Sequence, residues 1–404
     1  MKADIHSSRT PNKPSESLIE GIFPTQPTRV RIPTRDFKPW HKPRKQLIRI
    51  HQWQSEINSL IEKINFDGRP LRYISLPGDD FLDVRTLYSV CENHNLQLRF
   101  LGFNDRANPD IQNPLVDPTV NEITSLRLID ERSLLAPDRF ENLYRSESMA
   151  SKYVDDTGPF DILNLDLCQS FSNPRQRRSN ATIPTTYDAL LSLIQRQTAQ
   201  RTEPWLFFLT TRCAPDNVYM DDLKKFWDCI EDNLNNHQEF SDLFNQLVNG
   251  KGRNELMSSD IDDNEHRQSF TNTYCVGLGK WLLQTAQSGS PKWKVKLLKS
   301  YHYRVRNPYD MLAVAFRFER LVTPPYDARG LSEMSTPVIE DFASEKVCAI
   351  EILKVTSDLQ DADLILQSDQ KLRDEMILGQ SKLLNKAGYS EELYLEWLAN
   401  ENLL

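Results

Sequence analysis

Five apolar, strand-length segments, each ending in polar residues and separated by helix-length stretches, constrain this chain more than any other feature. The run over 72–76 leads to Pro77-Gly78-Asp79-Asp80, and that over 97–103 leads to Asn104-Asp105. The run over 125–129 leads to Asp130, that over 160–167 carries Asp166, and 205–211 is the fifth. Stretches near 81–93, 133–145 and 185–199 suit helices. Strands alternating with helices predict right-handed βαβ crossovers and a mostly parallel sheet. In such a sheet the carboxyl ends of the strands line the ligand crevice. Polar residues repeated at those ends therefore mark a candidate site.

Two more strands follow. Lys292–Val305 and Met311–Leu321 flank the turn Asn307-Pro308-Tyr309-Asp310 and read as a hairpin. Added to five parallel strands, it predicts a Rossmann-like α/β fold with a seven-stranded mixed sheet. Ahead of the first strand, Leu47, Ile50, Trp53, Ile57, Leu60, Ile61 and Ile64 recur at helical spacing over 46–65. Residues 214–290 read as a helical insertion with Phe226 and Trp227 as core anchors, interrupted by a loop over 249–265.

Charge divides the chain into three parts. Residues 1–45 hold 10 Lys/Arg, 4 Asp/Glu and seven prolines, so a basic, extended arm is expected. Residues 46–322 form the α/β domain. Residues 323–404 are acidic, with 16 Asp/Glu against 7 Lys/Arg over 326–404, and mainly helical. Ser344–Val355 suits either helix or strand; Gln367–Lys386 and Glu391–Leu398 read as helices, the latter capped by Ser390. The arm, with the aromatic–cation mixture Phe37–Gln46, suits nucleic acid or its own domain; the acidic tail suits a protein partner.

Composition narrows the class. No apolar run reaches the roughly 18–20 residues of a membrane span, and the start lacks a signal pattern. The six cysteines contain no Cys-x-x-Cys pair, so reduced thiols and a cytoplasmic setting are expected, with no metal. Cys168 reads as a small core residue and His302 as a packed or exposed strand residue rather than a base. Asp79 and Asp80 suit a helix cap equally well, and Asp105 and Asp130 suit ordinary turns.

Over residues 70–322 this layout resembles the class I S-adenosylmethionine-dependent methyltransferases. The resemblance implies S-adenosylmethionine as cofactor, cradled by the loop after the first strand. Ser75, Pro77, Gly78 and Asp79 stand there, though Ser75 replaces the family's acid and only Gly78 remains of its glycines. It further implies that Asn104 or Asp105 holds ribose, that Asp130 lies near adenine, and that Asp166 borders the methyl group as the catalytic residue. Leu167-Cys168-Gln169 stands where amino-methylating members carry Pro-Pro-Tyr. Arg175, Arg177 and Arg178, in the loop beyond, would meet an anionic substrate. The lost glycines imply an alternative: a degenerate methyltransferase fold acting as an interaction or regulatory protein, as in bacterial defence or mobile-element clusters.

Overall fold

The computed structural model describes residues 35–104, 116–172, 177–178, 181–182, 184–258, 263–321 and 344–401, without the side chains of 116, 117, 177, 178, 181 and 182. The basic arm over 1–34 lies outside the described residues. Residues 38–404 cluster as one unit.

The chain enters this unit through a short 3-10 turn at Pro39–His41. Helix α1 (Pro43–Ile48), a π-helical segment (Arg49–Gln54) and α2 (Ser55–Ile61) follow without a break. Proline at the first helical position has its φ preset and no amide to lose, which explains a start at Pro43 rather than 46. Lys45, Arg49, Gln52 and Trp53 are all buried along this run.

The sheet is built from β1 (Leu71–Ser75), β2 (Leu98–Phe103), β3 (Leu134–Ala136), β4 (Ile162–Asp166), β7 (Trp205–Arg212), β8 (Trp293–Leu297), β9 (Tyr301–Tyr303), β10 (Met311–Arg320) and β11 (Gln360–Asp361). A separate ribbon pairs β5 (Arg177–Arg178) with β6 (Ala181–Thr182). Helices α3 (Leu82–His94), α4 (Val116–Thr124), α5 (Met149–Thr157) and α6 (Thr186–Gln200) fill the crossovers. Helices α7 (Met220–Asn236), α8 (Gln238–Leu247), α9 (Arg253–Leu256) and α10 (Asn264–Gln287) form the insertion. Helices α11 (Glu345–Ser357), α12 (Ala362–Ser368), α13 (Gln370–Lys386) and α14 (Glu391–Asn400) close the chain.

The strand order is β11-β9-β10-β7-β4-β1-β2-β3, with β8 also paired to β10. Strands β3, β2, β1, β4 and β7 are mutually parallel, and β10 is antiparallel to β7. This is a Rossmann-like mixed sheet, of nine strands rather than the expected seven. Its order reverses between β1 and β4, the topological switch point where doubly wound folds bind ligands. The expected hairpin is present, with Phe316 opposite Leu297 and Ala313 opposite Tyr301. Its first strand is broken around Lys299. There Gln52 Nε2 donates to the Lys299 carbonyl at 2.9 Å and the Ala313 carbonyl at 3.0 Å.

Strands covered on both faces read as continuous apolar runs, and Trp205–Leu209 and Met311–Phe316 do so. Alternate residues feed two cores. Ile74, Leu163, Phe207 and Leu209 face α6, α7 and α10; Tyr73, Ile162, Leu206 and Phe208 face the first helix and α3.

Two expectations need correction. The run over 125–129 is a turn after α4 with one isolated bridge, Ile129 to Leu98. The third strand is β3, inside the stretch expected to be helical. Pro137 explains this, because a proline pushes the preceding residue into extended backbone. The ambiguous stretch from Ser344 is helix α11, whose Ser344 side chain accepts the Val347 amide. Among the described residues no helix is long and apolar enough to cross a membrane.

At Gly277 the backbone of α10 packs directly against α7. A Cβ there would lie 2.6 Å from Phe226 Cβ and 3.3 Å from its carbonyl oxygen. Alanine gains about 1 kcal/mol of helix propensity, but the clash involves atoms that cannot swing away. Gly277→Ala is therefore expected to destabilise by about 1–3 kcal/mol net. An unchanged denaturation midpoint would contradict this packing.

Candidate functional site

The switch point joins residues far apart in sequence. Asp166 ends β4 and receives Lys45 Nζ at 2.5 Å. The same ammonium lies 3.5 Å from Thr210 Oγ1 on β7. The Lys45 side chain is 3% exposed and that of Asp166 is 23% exposed. Burial pushes the Lys45 pKa below its ordinary value, and Asp166 opposes the shift. One helical turn on, Arg49 is buried and donates from Nη1 to Gln380 Oε1 of α13 at 2.8 Å.

Below these cations lies a buried polar chain. Asn164 Nδ2 donates to the Tyr73 hydroxyl at 2.9 Å, and that hydroxyl donates to Asp83 Oδ2 at 2.9 Å. Burial raises the Asp83 pKa; the Ser75 and Tyr73 hydroxyls oppose the rise. Ser75, at the end of β1, is itself fully buried.

The loop after β1 forms the rim. Pro77 packs so closely on β2 that a Cβ at Gly102 would lie 2.7 Å from Pro77 Cγ. Asn104 Nδ2 donates to the Pro77 carbonyl at 3.1 Å. Gly78 is exposed, with open space where a side chain would stand. Phe81, buried at the start of α3, holds a left-handed φ of 52°, costly for a bulky residue.

His41, ahead of α1, and Tyr389 and Tyr394, after α13, cover this rim. Asp80 accepts the Tyr389 hydroxyl at 2.8 Å and faces His41 Nε2 at 3.5 Å. Tyr394 of α14 donates to the His41 carbonyl at 2.8 Å. Burial lowers the His41 pKa; Asp80 opposes this, and Arg49 and Lys38 add to it. The unfolded chain therefore binds this proton more readily, so stability falls as pH drops below about 6.5, by at most about 1.4 kcal/mol per pH unit. The stability of the wild type should fall more steeply between pH 7.5 and 5.5 than that of His41→Gln. Parallel curves would contradict the buried placement.

The structure brings Ser75, Pro77, Gly78, Asp79, Asn104 and Asp166 to one side of the sheet. Asp105 and Arg175 lie outside the described residues, as do the side chains of Arg177 and Arg178. Asp130 is at the opposite end: its amide donates to the carbonyl of Leu98, the first residue of β2. It pairs with Arg99 at 2.8 and 3.0 Å. Burial pushes the Asp130 carboxyl up, but the Arg99 bonds and the Arg132 amide outweigh it and hold the pKa low. The placement near an adenine pocket is thus corrected. The acid after β3 is Asp138, which bonds Asn142 Nδ2 at 2.6 Å and the Ala150 amide at 3.0 Å. Cys168 is exposed, not a core residue, and His302 is buried against Tyr309, 4.2 Å between ring centres. Sequence reasoning missed Lys45, Arg49 and Gln380. The four-residue spacing of Lys45, Arg49 and the apolar Trp53 was a usable signal, since such residues share a helix face. Among the described residues no group of three or more His, Cys, Asp or Glu is placed to hold a metal.

A family model described as PP_RS20740-like matches residues 34–399. No curated protein matches. A solved structure described as a putative rRNA-methylase from Clostridium thermocellum is similar at 11% identity and a TM-score of 0.31, over 67% of this chain and 97% of that one.

Proposed function

The chain belongs to the PP_RS20740-like family, and we propose that it is a degenerate methyltransferase fold that works as a binding scaffold rather than a transferase. One observation carries this reading. Asp166, the acid expected to border a methyl group, is neutralised by the chain's own buried Lys45. The residues present do not fit S-adenosylmethionine. The β1 loop keeps one exposed glycine where a cofactor needs bare backbone, and Asp130 faces the far end of the sheet. Fold alone does not imply chemistry. Calorimetry with S-adenosylmethionine and S-adenosylhomocysteine tests the proposal. No saturable heat is expected up to millimolar concentration; micromolar binding would overturn it.

A transferase reading draws support from the open space at Gly78 and from Asn104 beside Pro77. It requires Lys45 to leave Asp166, and the same titration decides it. Nucleic-acid binding by the basic arm and by Arg175, Arg177 and Arg178 is a separate proposal. Its test is whether affinity falls steeply with salt.

A further inference from the structure

We infer that the covered switch point holds a small oxyanion, a phosphate or carboxylate group, against Arg49. The guanidinium is 2% exposed. Among the described residues it makes no ion pair, and its Nε has no hydrogen-bond partner. A buried charge is tolerated when paired and hydrogen-bonded, and costly otherwise. Arg49 is not alone in this. Gln46 Oε1, Asn164 Oδ1 and Gln380 Nε2 are also buried without partners among the described residues. Gln380 holds Arg49 from above, and Gln46 touches the neighbouring Gly379. The nearby Lys45 takes Asp166 in a direct ion pair, whereas Asp166 and Asp83 act on Arg49 only through space, with no carboxylate among the described residues hydrogen-bonded to it. The fork of a guanidinium matches the paired oxygens of phosphate and carboxylate.

This inference extends the scaffold reading but stands apart from it, because its test uses no S-adenosylmethionine. Thermal unfolding of the full chain is followed in sodium chloride, inorganic phosphate and acetate at equal ionic strength. Phosphate or acetate, at about a hundredfold over its Kd, should raise the wild-type midpoint by roughly 3–5 °C over chloride. The two salts separate phosphate from carboxylate recognition. Arg49→Met should melt above the wild type in chloride, since an apolar isostere removes a buried charge that no carboxylate contacts directly, and below it in the bound anion. An equal rise in both proteins would be the general salt effect on burial and would overturn the site. Equilibrium dialysis of radiolabelled phosphate and acetate against the wild type keeps the test independent of how the variant folds. One saturable site per chain is expected for one of them; none for either would overturn the inference.

Discussion

Asp166→Asn is expected to destabilise the protein by about 3–5 kcal/mol near pH 7. The substitution keeps shape but leaves the Lys45 ammonium, 3% exposed, without its counterion. An uncompensated buried charge costs that much, whereas the intact pair contributes little over an apolar replacement. The loss is unequal across the pair. Lys45→Met leaves Asp166, which is 23% exposed and can rehydrate, so about 1–3 kcal/mol is expected there after discounting for solvent screening. A double Lys45→Met/Asp166→Leu variant should recover most of either loss. The pH dependence has a fixed sign. The folded Lys45 pKa already lies below its ordinary 10.5, and losing Asp166 lowers it further. The unfolded chain then binds the proton more tightly, so the deficit of Asp166→Asn shrinks as pH rises from 7 towards 10. Denaturant titrations at pH 7 and 9.5 check it; a deficit that grows with pH would contradict the buried ammonium.

Asp161→Ala should cost a similar amount, about 3–5 kcal/mol, with no link to the crevice. Asp161 is fully buried just before β4 and accepts Arg69 at 2.9 and 3.1 Å and the Arg72 amide at 2.7 Å. Arg201, also buried, donates to it as well. Alanine strands Arg201 without its main carboxylate, leaving only the half-exposed Glu203 at 3.1 Å. Arg201→Met added to Asp161→Ala should restore part of the loss. A shift below 1 kcal/mol in Asp161→Ala would mean that water reaches the cluster.

The strands that run through both cores were legible in the sequence because each is a long apolar run bounded by turn residues. Phe160–Asp166, Trp205–Thr211 and the 292–321 hairpin appear close to their expected limits. The third strand was not legible. Leu134–Ala136 is three residues long, too short for a periodic signal, and the more strand-like Ser125–Ile129 drew the assignment. Asp130 moved with that error, because a register set on the wrong segment carries its acid to the wrong end of the sheet. The cover over the switch point was illegible for another reason. Lys45 and Asp166 are 121 residues apart, and Asp80 and Tyr389 are 309 apart. Local periodicity reports which face of a helix is buried but not what it is buried against. The basic arm was expected to suit nucleic acid or its own domain; in the described residues Lys42 pairs with Glu401 at 3.1 Å and Arg44 with Asp363 at 3.0 Å, both in the acidic region.

Amine footprinting of the native protein tests most directly whether its own first helix fills the switch point. Lys45 is buried and paired to Asp166, while the Lys371 side chain is 89% exposed. Under brief treatment with an acylating reagent, Lys371 should modify fully and Lys45 should stay unmodified until the protein unfolds. A lowered pKa leaves more of a lysine as the free amine at a given pH, so an accessible Lys45 would react early. Acylation of Lys45 at the rate of Lys371 in the folded protein would show the crevice open and Asp166 free to meet a ligand.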